Sequence, residues 1–425
     1  MSPTQLRVLV LVLGLYVVDG FDMQILGVTV FALADDWRLP IAAFGAAMAA
    51  GHAGSAFGAA IGGVLGDRFG RKPVAVAGTF LFGALTIATV LATTPAMVVA
   101  LRFAAGLGLG GCLPPALALL TESLPARRSG AAVSFALVCP PLGVTLAGLL
   151  AGALLPTLGW QGVFVIGGAV PLLAAVVLLL LLPESPAYRA AAGGPDRRAR
   201  AASSREVSLT VLVSGPRSRE SLGLFATFFA AYFAMSMVMS WLPALLAQRG
   251  FAALVAGTAL SAWSLAGIGG SILAGLLIAR WGSRTIARLY MAAATLALCA
   301  VALLLPAGGG AALLYGLMML GGCLLSGSIA SIYAYCGTLF EPAVRASGIG
   351  IAATTGRVGA IVGAWSGAAV LAGSGARGYF LLAAAVIAVA LAAFSAGAAA
   401  RAPAATDADT ATDAARPPPD PSATE

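Results

Sequence analysis

The stretch Gly66-Asp67-Arg68-Phe69-Gly70-Arg71-Lys72 lies between two apolar runs, and Ala279-Arg280-Trp281-Gly282-Ser283-Arg284 lies between two more, with Ala279 standing 212 residues after Asp67. A second pair shows a similar offset. Arg127-Arg128-Ser129-Gly130 opens one run, and Arg345-Ala346-Ser347-Gly348 opens another, 218 residues on. A repeat at about half the chain length implies a duplicated structural unit. Each turn is short and charged, and the runs beside it are long enough to cross a bilayer. The unit therefore reads as a set of membrane helices present twice. Duplicated halves of this kind flank a site near the midplane.

Composition agrees. Of the 425 residues, 60% are hydrophobic and 9% are charged, and the mean hydropathy is +0.98. A soluble chain carries about 25% charge, so the polar surface of a soluble enzyme is missing. The net charge of +8 does not point to nucleic acid. Binding of that kind needs one basic patch, whereas here short basic clusters alternate with long apolar runs. The five Cys all sit in apolar runs, with no metal-ligand or disulfide spacing. No cofactor or metal is expected.

Twelve apolar segments can be drawn, at 7–33, 41–64, 74–93, 96–120, 130–155, 161–182, 221–246, 253–278, 286–306, 311–338, 347–371 and 377–399. Each is long enough to span as a helix, which satisfies its own backbone in lipid. The expected fold is an all-α membrane protein with twelve transmembrane helices in two six-helix halves. The expected bounds are 1–183 and 221–400 for the two bundles, 184–220 for a central loop and 401–425 for a tail. The tail is rich in Ala, Pro, Asp and Thr, cannot bury a core, and is expected to be disordered. The first run is too long for a signal peptide and carries two Asp, so it reads as a retained span.

Basic residues mark the cytoplasmic side. With the N-terminus inside, nineteen Arg and Lys fall in the cytoplasm, against Arg38, Arg249 and Arg377 outside. Both termini and the central loop are therefore expected inside, in a bacterial inner membrane. The remaining basic residues, Arg102 and Arg357, fall within spans.

An ionisable group at the bilayer centre costs roughly 2.5–3.5 kcal/mol, so such groups persist where they face a cavity or each other. Asp19 and Asp22 stand three apart on the first span, near one helix face. Asp19 and Arg357 both lie about 18 Å into their spans, at 1.5 Å per residue. Arg102 and His52 reach a similar level. Two readings stand for this set. The groups pair with one another to hold helices, or they form a site. A buried Arg offers a two-pronged fork to a carboxylate, and desolvation favours the neutral form of an acid. Together they suit cotransport of an organic anion with protons. Tyr232, Phe233, Trp241, Trp263, Tyr333 and Tyr335 provide flat surfaces for a ring, or simply packing. His52 is a titratable group in principle, but a lone His on a Gly/Ala-rich face is more often packed or hydrogen-bonded.

The loop at 66–72 resembles the signature loop of the major facilitator superfamily. So does Arg102 with the Gly-rich run Gly106-Leu107-Gly108-Leu109-Gly110-Gly111, and so does Glu122-Ser123-Leu124-Pro125-Ala126-Arg127-Arg128. Within that superfamily, Asp19-Gly20-Phe21-Asp22 is similar to the aromatic acid:proton symporters. Pro183-Glu184-Ser185-Pro186, Trp241-Leu242-Pro243 and Gly356-Arg357-Val358-Gly359 match them too. These carry benzoate, 4-hydroxybenzoate and 3-(3-hydroxyphenyl)propionate. The resemblance implies that spans one, four, seven and ten line the cavity. It implies proton coupling through Asp19 and Asp22. Arg357 becomes essential for transport, beside Arg102, His52, Trp241, Tyr333 and Tyr335 as substrate-binding candidates. It also implies a cytoplasmic gate of Asp67, Arg71 and Glu122, with Arg68, Arg128 and Arg345 alongside. One departure stands out. Ala279 replaces the second-half acid equivalent to Asp67, and Ser283 replaces a basic residue.

The expected function is proton-coupled import of aromatic carboxylates by a monomer, with no enzymatic activity. A proton-coupled drug exporter is the alternative. Arg357 disfavours it, because exporters of lipophilic cations want an unpaired acid in the cavity. Sugar transport fits poorly, since the chain has no Asn and four Gln.

Overall fold

The computed structural model describes residues 1–185, 188, 218–305, 310–340 and 345–399. Most of the expected central loop (189–217) and the whole tail (401–425) lie outside the described residues. The described chain is helical: α1 (Pro3–Asp36), α2 (Gly45–Phe69), α3 (Arg71–Ala88), α4 (Pro95–Ser123), α5 (Ala126–Leu181), α6 (Ser218–Gln248), α7 (Ala253–Trp281), α8 (Ser283–Leu304), α9 (Ala311–Leu339) and α10 (Arg345–Ala399). Among the described residues, ten helices are long and apolar enough to cross a membrane.

Local sequence sets the helix ends. α1 starts with Pro3 behind a capping box, in which Ser2 Oγ accepts from Gln5 N (3.2 Å) and Gln5 Oε1 accepts from Ser2 N (3.0 Å). Thr94 caps α4 through Met97 N, and Pro95 is its first residue.

Twelve expected segments yield ten helices for a specific reason. α5 has 56 residues, which at 1.5 Å each is about 84 Å, far beyond a hydrocarbon core of about 30 Å. The chain instead turns back at Gly159, where φ is 64° and ψ is −175°. That conformation is essentially closed to a residue with a Cβ. Reversal is evident from the two ends. Glu122, just before α5, accepts a hydrogen bond from Ser185, just after it. α10 repeats the device at Gly375 (φ 63°, ψ −168°) within its 55 residues. The helix assignment runs through both turns, merging the expected segments 130–155 with 161–182 and 347–371 with 377–399.

The same neighbours recur in the two sets of helices. α1 packs on α5, α2 on α4, and α3 on both α4 and α5. In the second set α6 packs on α10, α7 on α9, and α8 on both α9 and α10. Glycines make the central seams close. A Cβ on Gly58 of α2 would sit 2.3 Å from Leu107 O of α4, and one on Gly270 of α7 would sit 2.0 Å from Cys323 O of α9. Helices without side chains at the contact approach backbone to backbone.

One end of the molecule collects the basic turns. There the starts of α1 and α3 meet the end of α4, through Gln5 Nε2 donating to Ser123 O (3.3 Å) and Arg71 pairing with Glu122 (3.2 Å). The far end is aromatic. Trp160 Nε1 donates to Asp36 Oδ2 (3.0 Å), and Trp37 packs on Phe44 and Trp160. The two sets join through α1 with α6, α5 with α7, and α2 with α10. The hydrogen bonds across those joins lie beyond mid-helix, toward the aromatic end. Gln24 Nε2 donates to Met239 O (2.6 Å), Ser261 Oγ to Thr145 O (2.8 Å) and Ser264 Oγ to Pro141 O (2.7 Å).

Candidate functional site

Asp22 and Arg102 meet inside the first set. Arg102 Nη1 lies 3.2 Å from Asp22 Oδ1, and the two residues are 4% and 5% exposed. Thr86 of α3 completes a triangle. Its hydroxyl donates to Asp22 Oδ1 (3.0 Å) and accepts from Arg102 Nη2 (2.8 Å). The guanidinium also lies 5.3 Å from the Phe164 ring, a cation–π contact from the second arm of α5. Four elements are thus tied by one buried charge pair. Removing one partner of such a pair costs about 3–5 kcal/mol, because the other charge is stranded. Thr86 carries no sequence signal of this role, being one Thr among many on apolar helices.

Arg357 is placed differently. It is exposed, twelve residues into α10, and lines a cavity of 410 Å³ with Ala56, Ala59 and Ala60 of α2, Pro114 of α4, and Thr354. Among the described residues it makes no ion pair. Asp19 is half-buried and lies within electrostatic range of both Asp22 and Arg357. Tyr232 and Tyr333 share a hydroxyl contact of 3.3 Å and also fall in the field of Arg357. Of the groups expected at one depth, Asp22 and Arg102 pair with each other.

Three other candidates are engaged elsewhere. Trp241 is fully buried and donates from Nε1 to Ala364 O (2.8 Å), fastening α6 to α10. Tyr335 is buried, donates its hydroxyl to Glu220, and packs on Phe394 (5.0 Å), away from Tyr333. Side chains two apart on a helix face different ways. His52 Nε2 stands 3.4 Å from Ser236 Oγ, bridging α2 and α6 across the two sets.

At the basic end, Asp67, Arg71 and Glu122 come together. Arg71 pairs with Asp67 through Nη1 and with Glu122 Oε1 through Nη2 (3.2 Å). Two residues after α5 join them. Ser185 donates to the other Glu122 oxygen. Glu184 Oε1 accepts from Arg71 N (3.0 Å), and Oε2 accepts from Lys72 N (3.2 Å). A carboxylate here satisfies free N–H groups at the start of α3 and opposes its dipole. The motif containing Glu184 and Ser185 was visible in the sequence, but spacing does not show that it folds back 112 residues onto α3. Arg68 is exposed over Phe69 (5.2 Å). Arg128 is exposed in the first turn of α5. Arg345 opens α10, but its side chain lies outside the described residues. In the second set, Ala279 and Arg280 are exposed, and Arg280 stacks over Trp281 (5.8 Å).

Known proteins share this layout. The model of the Major Facilitator Superfamily matches residues 12–334. The 4-hydroxybenzoate transporter PcaK of Pseudomonas aeruginosa is 32% identical over 415 residues, covering 92% of each chain. A gallate transporter of Pseudomonas putida is 32% identical, covering 86% of each. The 3-(3-hydroxy-phenyl)propionate transporter of Escherichia coli is 31% identical, covering 88% of this chain and 89% of that one. Among solved structures, a bacterial homologue of the lysosomal transporter Spinster superposes with a TM-score of 0.78 at 17% identity, covering 94% of this chain and 98% of that one. A D-xylose–proton symporter superposes with a TM-score of 0.72 at 18% identity, covering 92% and 97%. With the helical repeat and the buried charges, these matches place the chain: it belongs to the Major Facilitator Superfamily and is a multi-pass membrane transporter, not an enzyme.

Proposed function

We propose that this transporter imports aromatic carboxylates together with protons, by alternating access of two six-helix bundles. The observation that carries the reading is Arg357. Among the described residues it is a guanidinium with no ion pair, twelve residues into α10, exposed to a cavity whose other walls are mostly Ala, Pro and aliphatic side chains. Such a site offers a carboxylate a charge-assisted fork and offers a ring an apolar wall. The names of the relatives, carriers of 4-hydroxybenzoate, gallate and 3-(3-hydroxy-phenyl)propionate, support the same substrate class.

Asp19 is the coupling acid in this account. Protonated, it leaves Arg357 free to take the substrate carboxylate. Deprotonated, it competes for the same guanidinium. Proton and substrate therefore enter the same cavity together, and rocking of the bundles exposes both to the other side. Counting each helical hairpin as two spans gives twelve, with both termini cytoplasmic by the bias of basic residues. In that orientation the inter-bundle hydrogen bonds close the outer side of a bacterial inner membrane, and the cavity lies toward the cytoplasm. Arg71, Asp67, Glu122 and Glu184 then form the inner gate. A monomer suffices, since one chain supplies the whole cavity.

Uptake of labelled 4-hydroxybenzoate into proteoliposomes tests the reading. An inward proton gradient is expected to drive accumulation, and Arg357→Gln to lower uptake at least tenfold. Undiminished uptake by Arg357→Gln would remove the anchor, and uptake indifferent to the gradient would remove symport.

A further inference from the structure

We propose that His52 and Ser236 bind the ring hydroxyl of a substrate whose carboxylate sits on Arg357, so that the carrier selects hydroxylated aromatic acids over unsubstituted ones. The inference rests on the aromatic-carboxylate reading above. It names which members of that class the cavity favours and which side chains read them.

The pair lies one helical turn from the cavity on two helices at once. On α2, His52 stands four residues before Ala56, a wall of the Arg357 cavity, and so shares its face. On α6, Ser236 stands four residues after Tyr232. Both steps lead toward the aromatic end. α2 begins there, just after Phe44, and Met239, whose carbonyl takes Gln24 in the join between the sets, lies beyond Ser236. Tyr232 in turn touches α10 beside the arginine. A Cβ on Gly356 would sit 2.8 Å from Tyr232 Cδ2, so the missing side chain next to Arg357 admits the tyrosine ring. One turn is about 5.4 Å, comparable with the span from the carboxyl carbon of a benzoate to an oxygen in the para position. A carboxylate on Arg357 therefore puts a para-hydroxyl at the level of His52 and Ser236.

The hydrogen bonding at that level is incomplete. His52 Nε2 and Ser236 Oγ stand 3.4 Å apart, beyond the usual range of about 2.5–3.2 Å. A neutral imidazole has one donor and one acceptor nitrogen, and the other ring nitrogen of His52 has no partner among the described residues. Ser236 is buried and His52 half-buried, so water does not fully serve either group. A few polar groups placed in an otherwise apolar cavity fix the orientation of a ligand. The wall between them and Arg357 is firm. Tyr232 shares a hydroxyl contact with Tyr333, and fully buried Phe228 meets the Tyr333 ring edge-on at 4.7 Å. His52 belongs to the first set of helices and Ser236 to the second, so a hydroxyl between them is held from both sides.

A plain bridge between the sets is the competing role for this pair. The two differ in selectivity. A bridge acts on every substrate alike, whereas a site built to bind a hydroxyl rejects the analogue that lacks it, because its polar groups are left unpaired. Full-length wild type, His52→Phe, His52→Gln and Ser236→Ala are reconstituted. Exchange of labelled benzoate across proteoliposomes, with no gradient imposed, is competed with 4-hydroxybenzoate and with 4-methylbenzoate, which has nearly the same shape and no hydrogen bond to give. The ratio of the two competitors is read within each variant, so the amount of active carrier cancels. In wild type 4-hydroxybenzoate is expected to compete about tenfold better, the worth of one hydrogen bond. His52→Phe and Ser236→Ala are each expected to bring the ratio to within about threefold of unity. Ser236→Ala removes a single oxygen, so it decides even where the larger change at His52 disturbs packing. His52→Gln keeps a donor and an acceptor and is expected to hold a higher ratio than His52→Phe.

A wild type that exchanges benzoate and treats the two competitors alike overturns the hydroxyl site and leaves the aromatic-carboxylate reading standing. Variants that weaken both competitors equally reduce the pair to a bridge and also overturn it. Equal ratios in His52→Gln and His52→Phe assign the effect to shape and do the same. A wild type that exchanges no aromatic acid overturns the reading itself, and the hydroxyl site with it.

Discussion

Charge is scarce in this chain, so each buried charge is informative, yet residues of one type play unlike parts. Arg102 is locked against Asp22, Arg71 ties α3 to α4 at the basic end, and Arg357 lines a cavity. Depth along a span was legible in the sequence and put Asp19, Asp22, Arg102, Arg357 and His52 near one level. Pairing was not, because it depends on helix rotation and on which helices touch. The same limit explains Trp241 and Tyr335, aromatic and suitably deep but turned into helix seams. Glu184 shows the opposite case, a residue whose motif was noticed and whose role needed the fold. Its carboxylate caps α3 from the chain beyond α5. Glu184→Ala is expected to lower stability by about 0.5–2 kcal/mol, as other lost helix caps do. Chemical unfolding of purified protein checks this, and an unchanged midpoint contradicts it.

At the level of elements, the positions of the apolar segments were legible almost throughout. Length and apolarity alone demand helices in lipid. The two glycine turns needed the structure, since Gly159 and Gly375 stand among many glycines whose backbone is ordinary. The seams were half legible. Gly54, Gly58, Gly62 and Gly66 recur every fourth residue on α2, and the first three face the backbone of α4. Gly63, one position off that stripe, faces open space. Gly58→Val is therefore expected to cost about 1–3 kcal/mol, the range for overpacking. Gly63→Ala is expected to be neutral or mildly stabilising, since Ala favours helix. Thermal unfolding of the two variants side by side decides it. Equal effects would mean that the α2–α4 seam does not set stability.

For the whole molecule, the repeat read from two short turns corresponds to a repeated pattern of helix neighbours. The two sets are not equal at the basic end. The first set carries Asp67, Arg71, Glu122 and Glu184 in one network, while the second has Ala279 where the first has Asp67. The joins between sets run through the aromatic end, and the cavity with Arg357 lies on the basic side of them. Proton-coupled entry of an aromatic carboxylate into that cavity is the central claim. External pH recorded in lightly buffered proteoliposomes, on addition of 4-hydroxybenzoate without an imposed gradient, tests it most directly. The account predicts alkalinisation outside as protons enter with substrate, and its loss in Asp19→Asn. Acidification, or substrate entry with no pH change, would contradict it.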